Sequence, residues 1–139
     1  MTTKTMVHIH DAELALRQET YGILVGGMGV PVLDHVPSGT DFPYVEMGES
    51  LVTPWITKSS GGEEITLTFH VWSSYEGFLE AINLSSRLIS LLMENDLSLI
   101  ESQNVVSCSL VSREVTKEWT PNGIIRHGIV RFAWQIQKE

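Results

Sequence analysis

The segment Ile65-Thr66-Leu67-Thr68-Phe69-His70-Val71-Trp72, followed by Phe78 to Met93, decides the fold. In the first part Ile65, Leu67, Phe69 and Val71 alternate with Thr66, Thr68, His70 and Trp72, the period of a strand with one buried face. After Ser73-Ser74-Tyr75-Glu76-Gly77 the period changes. Phe78, Ala81, Ile82, Ser85, Leu88, Ile89 and Leu92 recur at steps of three and four, the stripe of a helix. Leu84 and Leu91 widen that stripe, so the helix is expected to be covered on more than one flank and to cross a sheet. Ser73 or Ser74 is the expected cap, with Glu76 and Glu80 suited to the positive end of the helix dipole.

Working outward, Asp11 is an expected N-cap for a helix over Ala12 to Leu24. Leu14, Tyr21, Leu24 and Val25 would share its buried face, with Leu16 and Ile23 beside it. Gly26-Gly27 and Gly29 end it. Val30 to Val36 reads as a short strand that Pro31 and Pro37 confine to an edge. Ser38-Gly39-Thr40-Asp41 is a turn. Tyr44 to Val52 is a strand with Val45, Met47 and Leu51 on one side and Tyr44, Glu46 and Ser50 on the other. Thr53 to Glu64 is a long hairpin loop or a protruding arm. Asn95-Asp96 closes the second helix, and Leu97 to Gln103 is a small extra strand or turn. Val105 to Glu118 is a strand of mixed facing. Pro121-Asn122-Gly123 marks a hairpin in which Asn-Gly supplies positive φ values. The last strand turns Val130, Phe132, Trp134 and Ile136 inward. The expected fold is α+β: one mostly antiparallel sheet with two helices packed on one face, in the order α-β-β-β-α-β-β.

The 139 residues make one expected domain, with residues 1–7 frayed. An apolar share of 42% is enough for a packed core, so disorder is excluded as a class. The single cysteine, Cys108, rules out an internal disulfide and a multi-cysteine metal site. No apolar run reaches the length of a membrane span, and a signal-peptide core is not evident. The net charge of −8 argues against a protein that grips nucleic acid through its phosphates. Between Arg17 and Lys58 there are carboxylates but no Lys or Arg, whereas the last third is richer in basic residues. That layout is either an ordinary acidic surface or a pair of unlike faces that meet head to tail between copies.

Motifs for chemistry are weak. His8 and His10, beside Asp11, lack a third ligand for a metal. His70 reads as a strand histidine bonded to a neighbour, and His127 as a surface or interface residue. Asp34 and His35 adjoin, so in a strand they face opposite ways and make no catalytic pair. Cys108 reads as a buried, inert thiol. Gly26-Gly27-Met28-Gly29 follows a helix instead of a strand, the wrong polarity for a phosphate loop. No nucleophile motif is present. Trp55 and Trp119 stand near loops, packed there locally or buried at an interface.

Four stretches in sequence carry a resemblance: Asp34-His35-Val36-Pro37, Phe42-Pro43-Tyr44-Val45, Glu63-Glu64-Ile65 through His70-Val71-Trp72-Ser73, and Arg126-His127-Gly128-Ile129-Val130-Arg131-Phe132. From about Asp11 onward the chain resembles the tail completion, or tail-to-head joining, proteins of long-tailed bacteriophages and prophages. The resemblance implies a structural virion protein with no catalysis, cofactor or metal. It implies a ring, usually a hexamer, that caps the tail tube and joins the head connector or stopper protein, with DNA passing through. Its partners would be further copies, the connector and the tail tube protein, with no specific nucleic-acid binding and no membrane. Its place would be the head–tail junction of the virion, assembled in the host cytoplasm. On that reading Trp55, Lys58, Trp119, Arg126 and Arg131 are candidate interface residues, and Asp41, Glu46 and Glu49 are candidates for an acidic lumen. The rivals are another tail part, such as the tube subunit, and a small-molecule-binding domain or enzyme with a pocket near His70 or Cys108.

Overall fold

The computed structural model describes residues 11–56, 61–95, 97 and 103–138. Along the chain these are α1 (Ala12–Gly27), β1 (Val32–Leu33), β2 (Tyr44–Ile56), β3 (Gly61–Ser73), α2 (Leu79–Glu94), β4 (Gln103–Thr120) and β5 (Gly123–Lys138). The strands form one sheet in the order β1-β2-β3-β5-β4, parallel only between β1 and β2. The expected α+β class and element order are both present. His8, His10 and Lys58 lie outside the described residues, as do most of Leu97 to Gln103 and the segment expected to fray.

One core binds both helices to one face of the sheet. Leu16 and Leu24 of α1 and Leu88 and Leu92 of α2 join Val45, Met47, Ile65, Leu67, Phe69, Val71, Val130, Phe132, Trp134 and Ile136 in a single buried cluster. Burial of side chains of this size contributes about 1.5–3 kcal/mol each, which makes this cluster the main source of stability.

The first helix is capped as expected, the Leu14 N–H donating to Asp11 Oδ1 at 3.1 Å. Its buried face differs from expectation. Ala12, Leu16, Thr20 and Leu24 point inward, whereas Leu14, Tyr21 and Val25 are exposed. Thr20 is tolerated there because its hydroxyl donates to the Leu16 carbonyl at 2.9 Å, so no polar atom is stranded. At the far end α1 meets α2 closely. A Cβ on Gly27 would lie 2.6 Å from Leu91 Cδ2, and Arg87 Nε donates to the Gly27 carbonyl at 2.7 Å. The glycine run therefore ends a helix and lets a second helix approach.

No side chain caps α2, whose N-cap is Phe78. Ser73 is instead buried at the end of β3, donating to Glu80 Oε1 at 2.6 Å and accepting from the Tyr75 N–H at 3.1 Å. It ties strand to helix rather than capping the helix. Asn95 closes α2, its Nδ2 donating to the Leu91 carbonyl at 2.7 Å.

Three β-bulges correct the expected facing of the strands. In β2 the register slips between Met47 and Ser50, so Ser50 aligns with Leu67 on the helix side and Leu51 turns outward, 62% exposed. In β4 the register slips between Val105 and Ser107 and again between Leu110 and Ser112. Each extra residue reverses the alternation, which is why Val106, Leu110 and Val111 do not fit one face. The shortest strand, β1, covers less than Val30 to Val36 and sits at the edge as expected. Strand pairing between β2 and β3 continues out to Ile56 and Gly61, so Thr53 to Glu64 is an arm and not a loop at its base. In the β4–β5 turn only Gly123 has a positive φ, and Asn122 does not.

Candidate functional site

The sheet face turned away from the helices is polar and acidic. Strand parity puts Glu46, Glu49, Glu64, Glu114 and Glu118 on it, with Arg131 as the facing guanidinium. Between them lie Thr66, Thr68, Ser109, Ser112 and Thr116. Because the main core is on the other side, most of these positions are free of packing duties; Thr68, 4% exposed, is the exception.

A hydrogen-bonded chain crosses this face from β2 to β4. His70 Nε2 lies 3.3 Å from Glu49 Oε1, and His70 Nδ1 lies 2.7 Å from His127 Nε2. His127 Nδ1 lies 2.5 Å from Glu118 Oε2. The register explains the meeting: Trp72 pairs with His127 and Glu46 with His70, so the sheet brings rings 57 residues apart into contact. Trp72 stacks on His127 with ring centroids 3.8 Å apart, and its Nε1 donates to Glu46 Oε1 at 2.9 Å. His127 is therefore only 8% exposed, buried within its own chain rather than left at the surface for a partner. His70 is bonded to neighbours, as expected of it. A hydrogen bond from its own backbone N–H is the main influence holding the Glu49 carboxyl below the usual carboxylate range; partial desolvation opposes it, and His70 and Arg131 reinforce it. Among the described residues no group of three or more His, Cys, Asp or Glu is placed to hold a metal.

The other candidates fall into separate places. Trp55 lies on the β2 arm, half-buried and on the polar face with Glu46, Glu49 and Arg131. Trp119 is 76% exposed near the end of β4. Arg126 sits on the helix side, its guanidinium carbon 5.1 Å from the Phe78 ring centroid. Asp41 is exposed in the β1–β2 connection, away from the other two acids. Cys108 is half-buried against the core, and burial pushes its thiol up. An open groove of about 230 Å³ beside α1 is lined by Leu14, Arg17, Gln18, Tyr21, Asp34 and Met47, and neither His70 nor Cys108 reaches it.

Both lateral edges of the sheet are open among the described residues. β4 is outermost on one side, with Val106, Leu110 and Val111 exposed. On the other side β1 covers only Val45 and Glu46, leaving β2 unpaired on its outer side from Ser50 to Ile56. Sheet edges of this length are normally blunted or covered.

The family model described as Tail completion protein gp17 matches residues 15–137. The chain belongs to that family. Over 95 residues, 68% of either chain, this tail completion protein is 37% identical to the Tail completion protein gp17 of Bacillus phage SPP1. The solved structure of bacteriophage SPP1 gp17 aligns with a TM-score of 0.60 at 29% identity, covering 89% of this chain and 90% of that one. A chain of the virion of the native gene transfer agent particle aligns with a TM-score of 0.76 at 20% identity, covering 92% and 98%, and so shares the fold. The family is one of structural phage tail proteins, and this chain is accordingly a structural component of a virion tail.

Proposed function

We propose that copies of this tail completion protein close into a ring, six by analogy with the resemblance, at the head-proximal end of the phage tail. The ring completes the tail tube, joins it to the head connector or stopper protein and passes DNA through its centre. It is assembled in the host cytoplasm. The observation that carries this reading is the pair of unlike open edges on one sheet, β4 and the outer half of β2. Unlike surfaces at opposite ends of a subunit join head to tail, and such contacts close into rings when the rotation allows. The exposed Val106, Leu110 and Val111 at one edge and Leu51 and Ile56 at the other supply apolar area to bury.

The acidic face supports the same reading. Lined by Glu46, Glu49 and neighbouring hydroxyls, a channel repels the DNA backbone and offers few cations to hold it. Arg131 tempers that charge, and Asp41 would act from the connecting loop.

The test is paired substitution. Val106→Lys with Val111→Lys changes exposed bulge residues of β4 and should leave circular dichroism unchanged. It should abolish incorporation into tails, read by native mass and by electron microscopy of assembled tails. Incorporation at wild-type levels would refute the edge contact. Glu46→Lys with Glu49→Lys should instead permit assembly and impair DNA passage; unaffected passage would remove any role for those acids in a channel.

A further inference from the structure

Two imidazoles joined to each other, with a carboxylate at each outer end, set a proton count. The links are Glu49–His70 at 3.3 Å, His70–His127 at 2.7 Å and His127–Glu118 at 2.5 Å. Ionised carboxylates only accept, so His70 Nε2 and His127 Nδ1 must each carry a hydrogen. The central link needs one more. Three hydrogens on four ring nitrogens are one more than two neutral imidazoles hold. We propose that His70 and His127 share a single excess proton, clamped between Glu49 and Glu118, and that this proton latches the β2 bulge at Gly48–Glu49. The latch belongs to the folded subunit and holds whether or not copies form a ring.

The surroundings suit one positive charge. A charge this buried must be paired, and two carboxylates pair it. The indole of Trp72, fixed by Glu46, lies parallel to His127 within 11° and offers a ring face to a cation. Glu46 and Glu49 face the pair from β2, Glu118 and Glu114 from β4, and Arg131 from β5. The helices occupy the opposite face; Arg17 of α1 reaches the Gly48 carbonyl at 2.7 Å and Asp34 at 2.9 Å.

Either change in proton number opens the chain. With two neutral rings one link has no hydrogen, and the longest, His70–Glu49, is the one that gives. With two cations, N–H faces N–H in the central link. The chain is closed only with one excess proton, three ring hydrogens in all. Gly48 couples this to the backbone, because a Cβ there would lie 2.7 Å from His70 Cδ2 and Nε2. When His70 leaves Glu49, the bulge keeps the Arg17 contact at Gly48 and the Ser50–Glu13 bond to α1, with Ser50 to Ile56 still paired to β3, so the loosening is local to the Glu49 end of the bulge.

The experiment is nuclear magnetic resonance of the full ¹⁵N-labelled chain, reading ring-nitrogen protonation and amide exchange across about pH 5 to 8. The expected result is a pH at which the pair carries three ring N–H groups. Exchange at Glu49, Ser50 and Leu51, corrected for intrinsic rates, should be slow there and rise about tenfold on the alkaline side, where the His70–Glu49 link loses its hydrogen. Glu49→Gln supplies a second arm that spares the core. Its amide can donate to a neutral His70, so the chain should stay closed at the alkaline end with two ring hydrogens, and the slow exchange should extend upward in pH. Two neutral rings where wild-type exchange is slow would overturn the proposal. So would exchange at residues 49–51 that ignores the histidine titration, or a Glu49→Gln profile identical to wild type.

Discussion

Replacing Gly48 by alanine adds one methyl group at the bulge where β2 changes facing. Its Cβ would lie 2.7 Å from the Thr68 carbonyl oxygen and 2.7 Å from His70 Cδ2 and Nε2. Heavy atoms attract at about 3.5–4.0 Å, so both approaches are repulsive. Thr68 cannot retreat. It is 4% exposed in β3, with β2 on one side and β5 on the other, where it pairs with Arg131. His70 can move, at the expense of its bonds to His127 and Glu49.

Overpacking of this kind costs roughly 1–3 kcal/mol, and a lost hydrogen bond about 0.5–1.5 kcal/mol. Alanine also narrows the unfolded ensemble, which returns roughly 0.4–1 kcal/mol. The net expectation is a loss of about 2 kcal/mol. With a urea slope of about 2 kcal/mol/M, the midpoint should fall by roughly 1 M with the slope unchanged. In a His70→Ala background one of the two clashes disappears, so the cycle should show a coupling of at least about 0.5 kcal/mol. A Gly48→Ala midpoint within about 0.25 M of wild type would refute the reasoning, because it would mean the bulge yields without resistance.

Three further outcomes are expected. Gly22→Ala, in α1 with no neighbour within 4 Å of the added methyl group, should stabilise the chain by about 0.5–1 kcal/mol, read as a higher thermal midpoint. Phe69→Ala and Leu88→Ala, both essentially inaccessible to solvent, should each cost roughly 2–5 kcal/mol in urea unfolding; unchanged midpoints would remove them from the core. Cys108, half-buried with its thiol pushed up by burial, should react more slowly with a thiol-disulfide reagent at mildly alkaline pH than free cysteine does, and equal rates would contradict its placement.

Elements with one buried face were legible in the sequence, since burial writes itself as a period. Ile65 to Val71 and Val130 to Ile136 alternate without interruption and pair directly with each other. The facing of α1 was not legible, because Thr20 disguises the buried row while Leu14, Tyr21 and Val25 imitate one. Bulges were equally hidden. An extra residue has no side-chain signature of its own, and only the mixed facing of Val105 to Glu118 hinted that the parity of β4 changes. The histidine pair was beyond local reading. His70 and His127 each stood on a recognisable strand, but contact between them depends on register, set by distant core residues. The signal available was that both fall on the polar phase of strands whose apolar phases match.

That dependence on register links the two faces of the sheet. Phe69 and Val71 pack opposite Val130 and Gly128 on the helix side, and the same alignment sets Trp72 against His127 on the other. A slip of one residue would send His127 to the core face and bury a polar ring without its partners. The apolar face thus supplies the stability, and the acidic face inherits its geometry from it. Substitutions at Glu46, Glu49 or Glu118 can therefore change charge and proton content with the core left whole, whereas loss of Phe69 or Val130 would disturb both faces. Gly128 belongs with the latter group: a Cβ there would lie 2.8 Å from Ser85 Oγ of α2 and 3.2 Å from Val71 Cβ, so its absence lets α2 lie close over the rung next to His127.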